Sequence, residues 1–321
     1  MASVTSRSGS SVAVGSPGGT GGVDSRLPRA QTGTTPQHLL MTLLGDYWLG
    51  RSEHLPSAAL VDLLAEFEIS EPSTRAALNR LTKRGLLVSS KRGRYTYYGL
   101  SPRAMPLLTG TLRRIVAFGT PPSAAWDGAW TIVAFSVPET QRQTRHSLRS
   151  SLRWLGFAAL YDGLWYSPRQ EQDAALAVLA DLGVGSATVM RAEIDSRSTA
   201  HALSAWDLGA VKRRYSAFED EFCPLLEDAQ RGTLTSSEAL VQRTKVMDSW
   251  RGFLGIEPDL PAELLPTDWP RSRMRELFVE LYVNLALIAK ARCQQIVANH
   301  SPELAALVSY HAVIEPNSLT S

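Results

Sequence analysis

The chain has only two cysteines among its 321 residues, Cys223 and Cys293. Both lie in largely apolar stretches with helical spacing, which is typical of buried free thiols in a reducing compartment. No apolar run approaches the roughly 18 residues that a membrane-spanning helix requires. The first 30 residues lack the apolar centre of a secretory signal. These absences predict a cytoplasmic protein with no disulfide and no membrane contact.

Short motifs of common enzyme sites are also missing, since HExxH, GxxxxGK followed by Ser or Thr, GxSxG and CxxC do not occur. A glycine-rich run at residues 18–22 has no strand pattern before it and no helix pattern after it, unlike a phosphate-binding loop. The six histidines are scattered, and no two have the spacing of metal ligands. The sequence therefore predicts no catalytic site, no metal and no cofactor.

Positive charge is small in total but concentrated in one region. The net charge is only +2, yet residues 31–118 carry 11 Lys and Arg against six Asp and Glu. Residues 119–321 carry 19 against 24, and residues 73–98 have seven basic residues and no acidic one. Such an asymmetry directs one part of a protein towards phosphates and keeps the remainder away from them.

The basic region has the pattern of a helix followed by a β-hairpin. Ser70 is a suitable N-cap, Pro72 suits a first helical turn and Gly85 ends the helix. A basic turn at residues 91–94 then separates two strand patterns. With two amphipathic helices before it, the region 35–101 predicts a winged helix-turn-helix domain for double-stranded DNA.

The predicted DNA-binding set combines side chains for base edges with side chains for phosphates. Arg pairs with guanine and Asn with adenine, whereas the basic residues at the helix end and in the turn suit the backbone. The alternative is a solvated basic face on a protein-interaction domain. The set is Ser73, Thr74, Arg75, Asn79, Arg80, Lys83, Arg84, Lys91, Arg92, Arg94 and Tyr95.

The rest of the chain predicts an α+β, multidomain protein. Residues 1–34 predict a disordered tail rich in Gly and Ser, and residues 102–125 a connector. Residues 126–198 alternate strand and helix patterns in a way that fits a ferredoxin-like domain of βαββαβ type, with residues 158–167 as one strand or a tight hairpin. Residues 199–300 predict a helical C-terminal domain, and residues 301–321 a second tail.

The predicted middle domain combines arginines with tryptophans. Arginines that recur every four residues on one predicted helix, beside aromatic surface, suit an anionic ligand that carries a ring or a nucleotide. The alternative is a structural stripe that pairs with acidic helices or forms a dimer face, with the tryptophans in the core. The residues considered for this ligand are Arg145, Arg149, Arg153, Trp154, Trp165, Arg169 and Trp206.

Several segments are similar to one known family. Residues 126–169, WDGAWTIVAFSVPETQRQTRHSLRSSLRWLGFAALYDGLWYSPR, followed by AWDL at residues 205–208, resemble the PaaX family of bacterial regulators. The N-terminal segments LLGDYW (43–48), STRAALNRLTKRGLL (73–87) and GRYTYYGLS (93–101) agree with this resemblance. It extends over residues 36–299, nearly all of the chain between the two predicted tails.

The resemblance implies a transcriptional regulator, usually a repressor, that binds an inverted-repeat operator as a homodimer. Founding members of the family control phenylacetic acid catabolism and release DNA on binding phenylacetyl-CoA, so an acyl-CoA effector is implied. The expected mechanism is a ligand-biased dimer whose half-site spacing no longer fits the operator. Alternatives are a different small-molecule effector, a protein partner for the helical C-terminal third, and an activator.

A nuclease is the enzymatic alternative, because a ferredoxin-like middle domain is also similar to CRISPR-associated nucleases. Such enzymes hold a metal with an Asp at the end of the first strand. In this chain the strand ends with Phe135 and continues as Ser136, Val137, Pro138 and Glu139. The simplest interpretation is a fold reused without catalysis.

Overall fold

The computed structural model describes residues 35–120, 125–195, 203–257 and 260–311. The tail predicted at residues 1–34 lies outside the described residues, as do residues 312–321 of the second predicted tail. Many helices and two small sheets make the chain a mixed α+β protein. Among the described residues, no helix has both the length and the apolar character that crossing a membrane demands.

The N-terminal unit contains three helices and a hairpin. These are α1 (Pro36–Tyr47), α2 (Ser57–Ala65), α3 (Glu71–Lys83), β2 (Leu87–Arg92) and β3 (Tyr95–Leu100). The helix and the hairpin predicted for the basic region are therefore observed. A short strand that the sequence did not predict, β1 (Leu55–Pro56), adds to β3 and gives an antiparallel sheet with the order β1-β3-β2.

His54, in the segment between α1 and β1, contacts both strands of the hairpin. The imidazole Nδ1 of His54 lies 2.8 Å from the Ser90 hydroxyl on β2. Its ring also fills the space beside Gly99 on β3, where an added Cβ would lie 2.3 Å from Cδ2 of His54. Glycine is therefore required at residue 99 by close approach of the ring.

We expect Gly99→Ala to reduce the free energy of unfolding by about 1–3 kcal/mol, because the methyl group and the His54 ring compete for one space. Denaturant unfolding measures this change. Gly110→Ala is the matched control, since nothing lies within 4 Å of that added Cβ, and alanine favours the helix that contains it. A Gly99→Ala protein as stable as the parent would contradict the expectation.

The predicted connector is mostly a helix that packs into the main core. This helix, α4 (Ala104–Ala117), buries Leu108, Leu112 and Ile115. The indole of Trp250 donates a hydrogen bond to the Ile115 carbonyl at 3.3 Å. The connector therefore holds the N-terminal unit against the C-terminal helices.

The middle domain has the element order βαββαβ. Its elements are β4 (Ala129–Phe135), α5 (Arg142–Trp154), β5 (Ala158–Tyr161), β6 (Leu164–Ser167), α6 (Gln172–Asp181) and β7 (Ala187–Glu193). The strands form an antiparallel sheet in the order β5-β6-β4-β7. Side chains alternate across it, so that Val133 and Trp165 face α5 and α6, whereas Trp130 and Tyr166 face the other way.

The C-terminal part is helical, as predicted. It contains α7 (Leu208–Arg231), α8 (Ser236–Phe253), α9 (Arg271–Asn284), α10 (Ala286–Ala298) and α11 (Pro302–Ala305). The prediction of a tail from residue 301 is wrong for residues 301–311, because Leu304 and Val308 are buried. The Ser309 amide also donates to the Tyr47 carbonyl at 3.1 Å, so this segment lies against α1.

One hydrophobic core joins the N-terminal unit, α4 and the C-terminal helices, whereas the middle domain has two smaller cores of its own. Trp250 is central to the large core, where its ring stacks on Phe278 at a centroid distance of 4.9 Å and packs against Phe118 at 5.2 Å. The orientation of the N-terminal unit is therefore fixed by packing on the C-terminal helices.

The two cysteines differ in environment. Cys293 is buried as predicted, and burial raises the pKa of its thiol to about 12. Cys223 is exposed, so the prediction of a buried thiol is wrong there. It lies on α7 directly after the buried Phe222, and its side chain faces solvent.

Candidate nucleic-acid interface

Helix α3 presents a polar face to solvent because its apolar residues share one side. Ala77, Leu78 and Leu81 are buried in the main core. The opposite side carries four of the predicted DNA-binding residues, all exposed, namely Ser73, Asn79, Arg80 and Lys83. A helix with this division can enter a groove without losing its packing.

Three predicted residues have other contacts. Thr74 is fully buried and donates to the Ser70 carbonyl at 3.2 Å, so the prediction that it reaches DNA is wrong. Arg75 forms a surface ion pair with Glu71 at 2.6 Å, and Arg84 is half-buried and donates to Gln37 Oε1 at 3.4 Å. The helical spacing of Thr74 with Ala77, Leu78 and Leu81 already indicated its inward position.

The β2–β3 turn carries the other predicted residues on an exposed tip. Gly93 has φ +60° at the first central position, as a type II′ hairpin requires. The guanidinium of Arg92 lies over the Tyr97 ring at 4.9 Å, and that of Arg94 over the Tyr95 ring at 5.1 Å. Stacking orders these groups and leaves their charge in solvent, which suits phosphate contacts. The exposed residues of this tip are Lys91, Arg92, Arg94 and Tyr95.

A buried ion pair that sequence reasoning missed connects this unit to the C-terminal helices. Asp46 on α1 lies 3.4 Å from Arg243 on α8, and Arg243 is fully buried. The Tyr282 hydroxyl donates to Asp46 at 2.6 Å, while Arg243 donates to the Tyr47 hydroxyl at 3.2 Å and to the His311 carbonyl at 3.0 Å. Burial raises the pKa of Asp46, and the Arg243 charge acts in the opposite direction.

A second polar cluster fixes the first turns of α1. His38 Nε2 lies 2.8 Å from Asp248 Oδ1, and Arg251 donates to His38 Nδ1 at 2.7 Å. Because arginine can only donate, Nδ1 of His38 is an acceptor and its Nε2–H donates to Asp248. Thr42 donates to the same carboxylate at 3.1 Å. These contacts, with the Asp46–Arg243 pair, hold α1 on α8.

The sheet of the middle domain separates the residues considered for an anionic ligand. Arg145, Arg149, Arg153 and Trp154 lie on α5, which covers one face, and Trp165 is buried beneath that helix. Trp206 lies on the opposite face. The seven residues considered for the ligand therefore do not all lie at one site, because Trp206 packs on Tyr166, on the face of the sheet opposite to α5.

Four aromatic rings pack together on the second face of the sheet, and we call them the aromatic cluster. Its members are Trp126, Trp130, Tyr166 and Trp206, and the centroids of neighbouring rings are 5.3–6.3 Å apart. The indole of Trp126 donates to the Pro168 carbonyl at 2.9 Å, which brings the backbone of Arg169 to the cluster. Trp126 and Trp206 are only half-buried. Two of the considered residues, Arg169 and Trp206, thus lie near an accessible aromatic surface.

Glu139, the first carboxylate after β4 in the sequence, has no metal-site surroundings. Glu139 lies in a single 3₁₀ turn after β4, with an 85% exposed side chain 3.8 Å from Arg145. Within the described ranges, His, Cys, Asp and Glu side chains do not gather in groups of three that could hold a metal ion. An adjacent arginine instead of further carboxylates is a poor environment for a cation.

Family models match the chain in three successive segments. Residues 35–104 match a PaaX-like protein model, residues 123–204 the PaaX protein central Cas2-like domain, and residues 206–295 the PaaX-like protein C-terminal domain. The transcriptional repressor PaaX of Escherichia coli (strain K12) is 29% identical over 262 residues, which cover 79% of this chain and 81% of the repressor. The chain is also similar to a solved structure, the uncharacterized protein Rv0674 from Mycobacterium tuberculosis, with a TM-score of 0.46 and 27% sequence identity. The match covers 80% of this chain and 98% of the chain in that structure.

Proposed function

The chain belongs to the PaaX family, and from this premise we propose that it is a transcriptional repressor that binds operator DNA and not an enzyme. The relative in Escherichia coli carries the name of a transcriptional repressor. The observation that carries the proposal is the exposed basic surface of α3 and the β2–β3 turn, within the segment that matches the PaaX-like model. Because the proposed target is operator DNA, we place the protein in the cytoplasm.

In this proposal the N-terminal unit, residues 35–101, is a winged helix-turn-helix in which α2 and α3 form the motif and β2–β3 the wing. The order βαββαβ and an antiparallel sheet of order β5-β6-β4-β7 support a ferredoxin-like middle domain at residues 126–198. The third domain, predicted to begin at residue 199, contains helices α7 to α11 and extends to residue 311, so that it takes in the buried C-terminal segment.

The DNA contacts follow from side-chain chemistry. We place α3 in the major groove, where Arg80 pairs with guanine and Asn79 with adenine. Lys83, Arg92 and Arg94 bind phosphates and set the register without reading sequence. A homodimer on an inverted repeat matches this arrangement, since two α3 helices then read half-sites about one helical turn apart.

For the effector we propose an acyl-CoA thioester such as phenylacetyl-CoA, bound at the aromatic cluster. The half-buried rings of Trp126 and Trp206 offer apolar surface to an aromatic acyl group. Arg169 beside them is an arginine that can pair with a phosphate, and its present partner is Glu171 at 3.2 Å. Binding there favours a dimer geometry that no longer fits the operator.

The test is fluorescence anisotropy of the purified protein on the DNA upstream of its own gene. We expect tight binding that phenylacetyl-CoA reverses and free CoA does not, because only the thioester carries the acyl group. Binding that neither compound changes would retain the DNA reader and refute this effector, in favour of another ligand or a protein partner. Absence of binding to this DNA and to genomic fragments would refute the repressor itself.

The effector site has its own variant in the same experiment. Trp206→Ala is expected to raise the phenylacetyl-CoA concentration needed for half release by roughly tenfold to hundredfold, through loss of ring contacts. In the absence of effector, the affinity of Trp206→Ala for DNA is expected to stay within about twofold of that of the parent protein. Tyr161→Ala is the matched control, since this ring is 64% exposed on β5. An unchanged midpoint in Trp206→Ala would remove the aromatic cluster as the site.

A further inference from the structure

One side of α5 carries a row of basic side chains that the proposed repressor mechanism leaves unused. This α5 stripe consists of Arg142, Arg145, His146, Arg149 and Arg153, and the helix contains no Asp or Glu. At 100° and 1.5 Å per residue, the five positions fall within an arc of about 100° over a length of about 16 Å. The four arginines of the stripe therefore form one continuous line of positive charge.

The acidic neighbours of the stripe neutralise only part of it. Arg149 pairs with Asp162, whose side chain is 87% exposed, and Arg145 lies 3.8 Å from the equally exposed Glu139. Arg145 and Arg149 are themselves half-buried, and Arg145 also donates to the Val137 carbonyl at 2.6 Å. Ion pairs with such exposed carboxylates are weak and can yield to a stronger anion. Arg142 and Arg153 are exposed themselves, and the Arg153 guanidinium lies over the Trp165 ring at 5.3 Å.

The shape of the stripe favours an extended polyanion over a small molecule. Ligand sites are concave and enclose most of the ligand, whereas the stripe runs along the outside of a helix. A CoA thioester carries its phosphates at one end and would engage only a short part of it. A DNA strand presents a phosphate every 3.4 Å along its axis and can follow the full length.

The position of the stripe is compatible with DNA held by the wing. The Arg114 guanidinium of α4 lies over the Trp154 ring at 4.6 Å, so the end of α5 rests on α4. From Arg114 back to Ala104, where α4 begins, is about 15 Å, and Ala104 follows β3 of the wing almost directly. The Arg153 end of the stripe thus lies well within one turn of DNA, about 34–36 Å, from the base of the wing.

We infer that the α5 stripe binds the phosphate backbone of the operator outside the bases that α3 reads, so that the middle domain is a second DNA contact. This inference rests on the proposed function, because it presupposes a DNA-bound protein. It assigns α5 to DNA and leaves the effector to the aromatic cluster on the opposite face of the sheet. The contact adds affinity and length of bound DNA but no sequence preference.

The experiment compares salt dependence of DNA binding in three charge-matched variants. Arg142→Gln/Arg153→Gln removes two charges of the stripe and keeps the side-chain stems. Arg92→Gln/Arg94→Gln removes two from the wing, and Lys212→Gln/Arg213→Gln removes two exposed charges from α7. Each is titrated by anisotropy with a duplex limited to the operator and with a longer duplex, in the presence and absence of phenylacetyl-CoA.

We expect the stripe variant to reduce the slope of log K against log salt by about two units on the longer duplex, at about 0.9 per lost phosphate contact. The α7 variant leaves the slope unchanged. If the wing variant loses slope and the stripe variant does not, the inference is wrong and the repressor function stands. If neither variant changes the slope, the inference about the stripe and the placement of Arg92 and Arg94 on phosphates are both wrong. A stripe variant with unchanged slope but a shifted phenylacetyl-CoA midpoint would overturn the inference and place the CoA phosphates on α5.

Discussion

Arg243→Ala is expected to lower the free energy of unfolding by about 3–5 kcal/mol, because it leaves the buried Asp46 carboxylate without its cation. Arg243 is fully buried, and it also donates to the Tyr47 hydroxyl and to the carbonyls of Tyr282 and His311. Several acceptors in the core therefore lose a partner at once. Because the large core joins both terminal regions, helices α1 and α8 should lose protection together in hydrogen exchange.

Denaturant unfolding of matched variants separates the ion pair from simple loss of volume. Arg231→Ala removes an arginine that pairs with Asp228 on the surface of α7 with 61% exposure, and we expect a change within about 0.5 kcal/mol. The double variant Arg243→Met/Asp46→Leu should recover part of the loss, since no unpaired charge remains. An Arg243→Ala protein of parental stability would show that the pair does not hold the two regions together.

Arg80→Ala is expected to weaken operator binding by about 1–3 kcal/mol, or roughly fivefold to 150-fold, because a bidentate arginine contact with guanine contributes this much free energy. Binding to random DNA should fall much less, since there Arg80 contributes only its charge. Arg80 is suited to base contacts because it is exposed on α3, opposite the buried Leu78 and Leu81. Anisotropy on operator and random duplexes at one salt concentration gives both constants.

Arg75→Ala is the matched control on the same helix. Arg75 forms its ion pair with Glu71 at 2.6 Å and lies at the side of the exposed face, so we expect a smaller loss of specific affinity than for Arg80. Equal losses on operator and random DNA for Arg80→Ala would mean that this residue binds phosphate and does not read bases. A larger loss for Arg75 than for Arg80 would require α3 to be rotated in the groove.

Local patterns predicted most of the secondary structure that carries the candidate interface. The cap at Ser70 and the glycine at residue 85 predicted the two ends of α3, and the basic turn at residues 91–94 predicted the hairpin. These features depend on backbone conformation within a few residues, which sequence encodes directly. The inward position of Thr74 was also readable from helical spacing, although the prediction placed it on DNA.

The ligand residues of the middle domain show where local patterns are insufficient. Arg145, Arg149 and Arg153 share one helix face, as their spacing indicates. Whether Trp165 and Trp206 join them depends on which face of the sheet each one occupies. The pairing of Trp165 with Val133 places it beneath α5, whereas Trp206 packs on Tyr166 behind the sheet. Neither relation follows from sequence spacing.

By itself, the sequence determined the family, the α+β class, and the basic helix and hairpin, because each depends on short-range pattern or on long motifs. Only the tertiary structure decided how the N-terminal unit is held. Asp46 and Arg243 are 197 residues apart and His38 and Asp248 are 210 apart, and nothing local in either partner marks it as buried. Charged side chains are ordinarily on the surface, and only the packing of α1 on α8 makes these pairs internal.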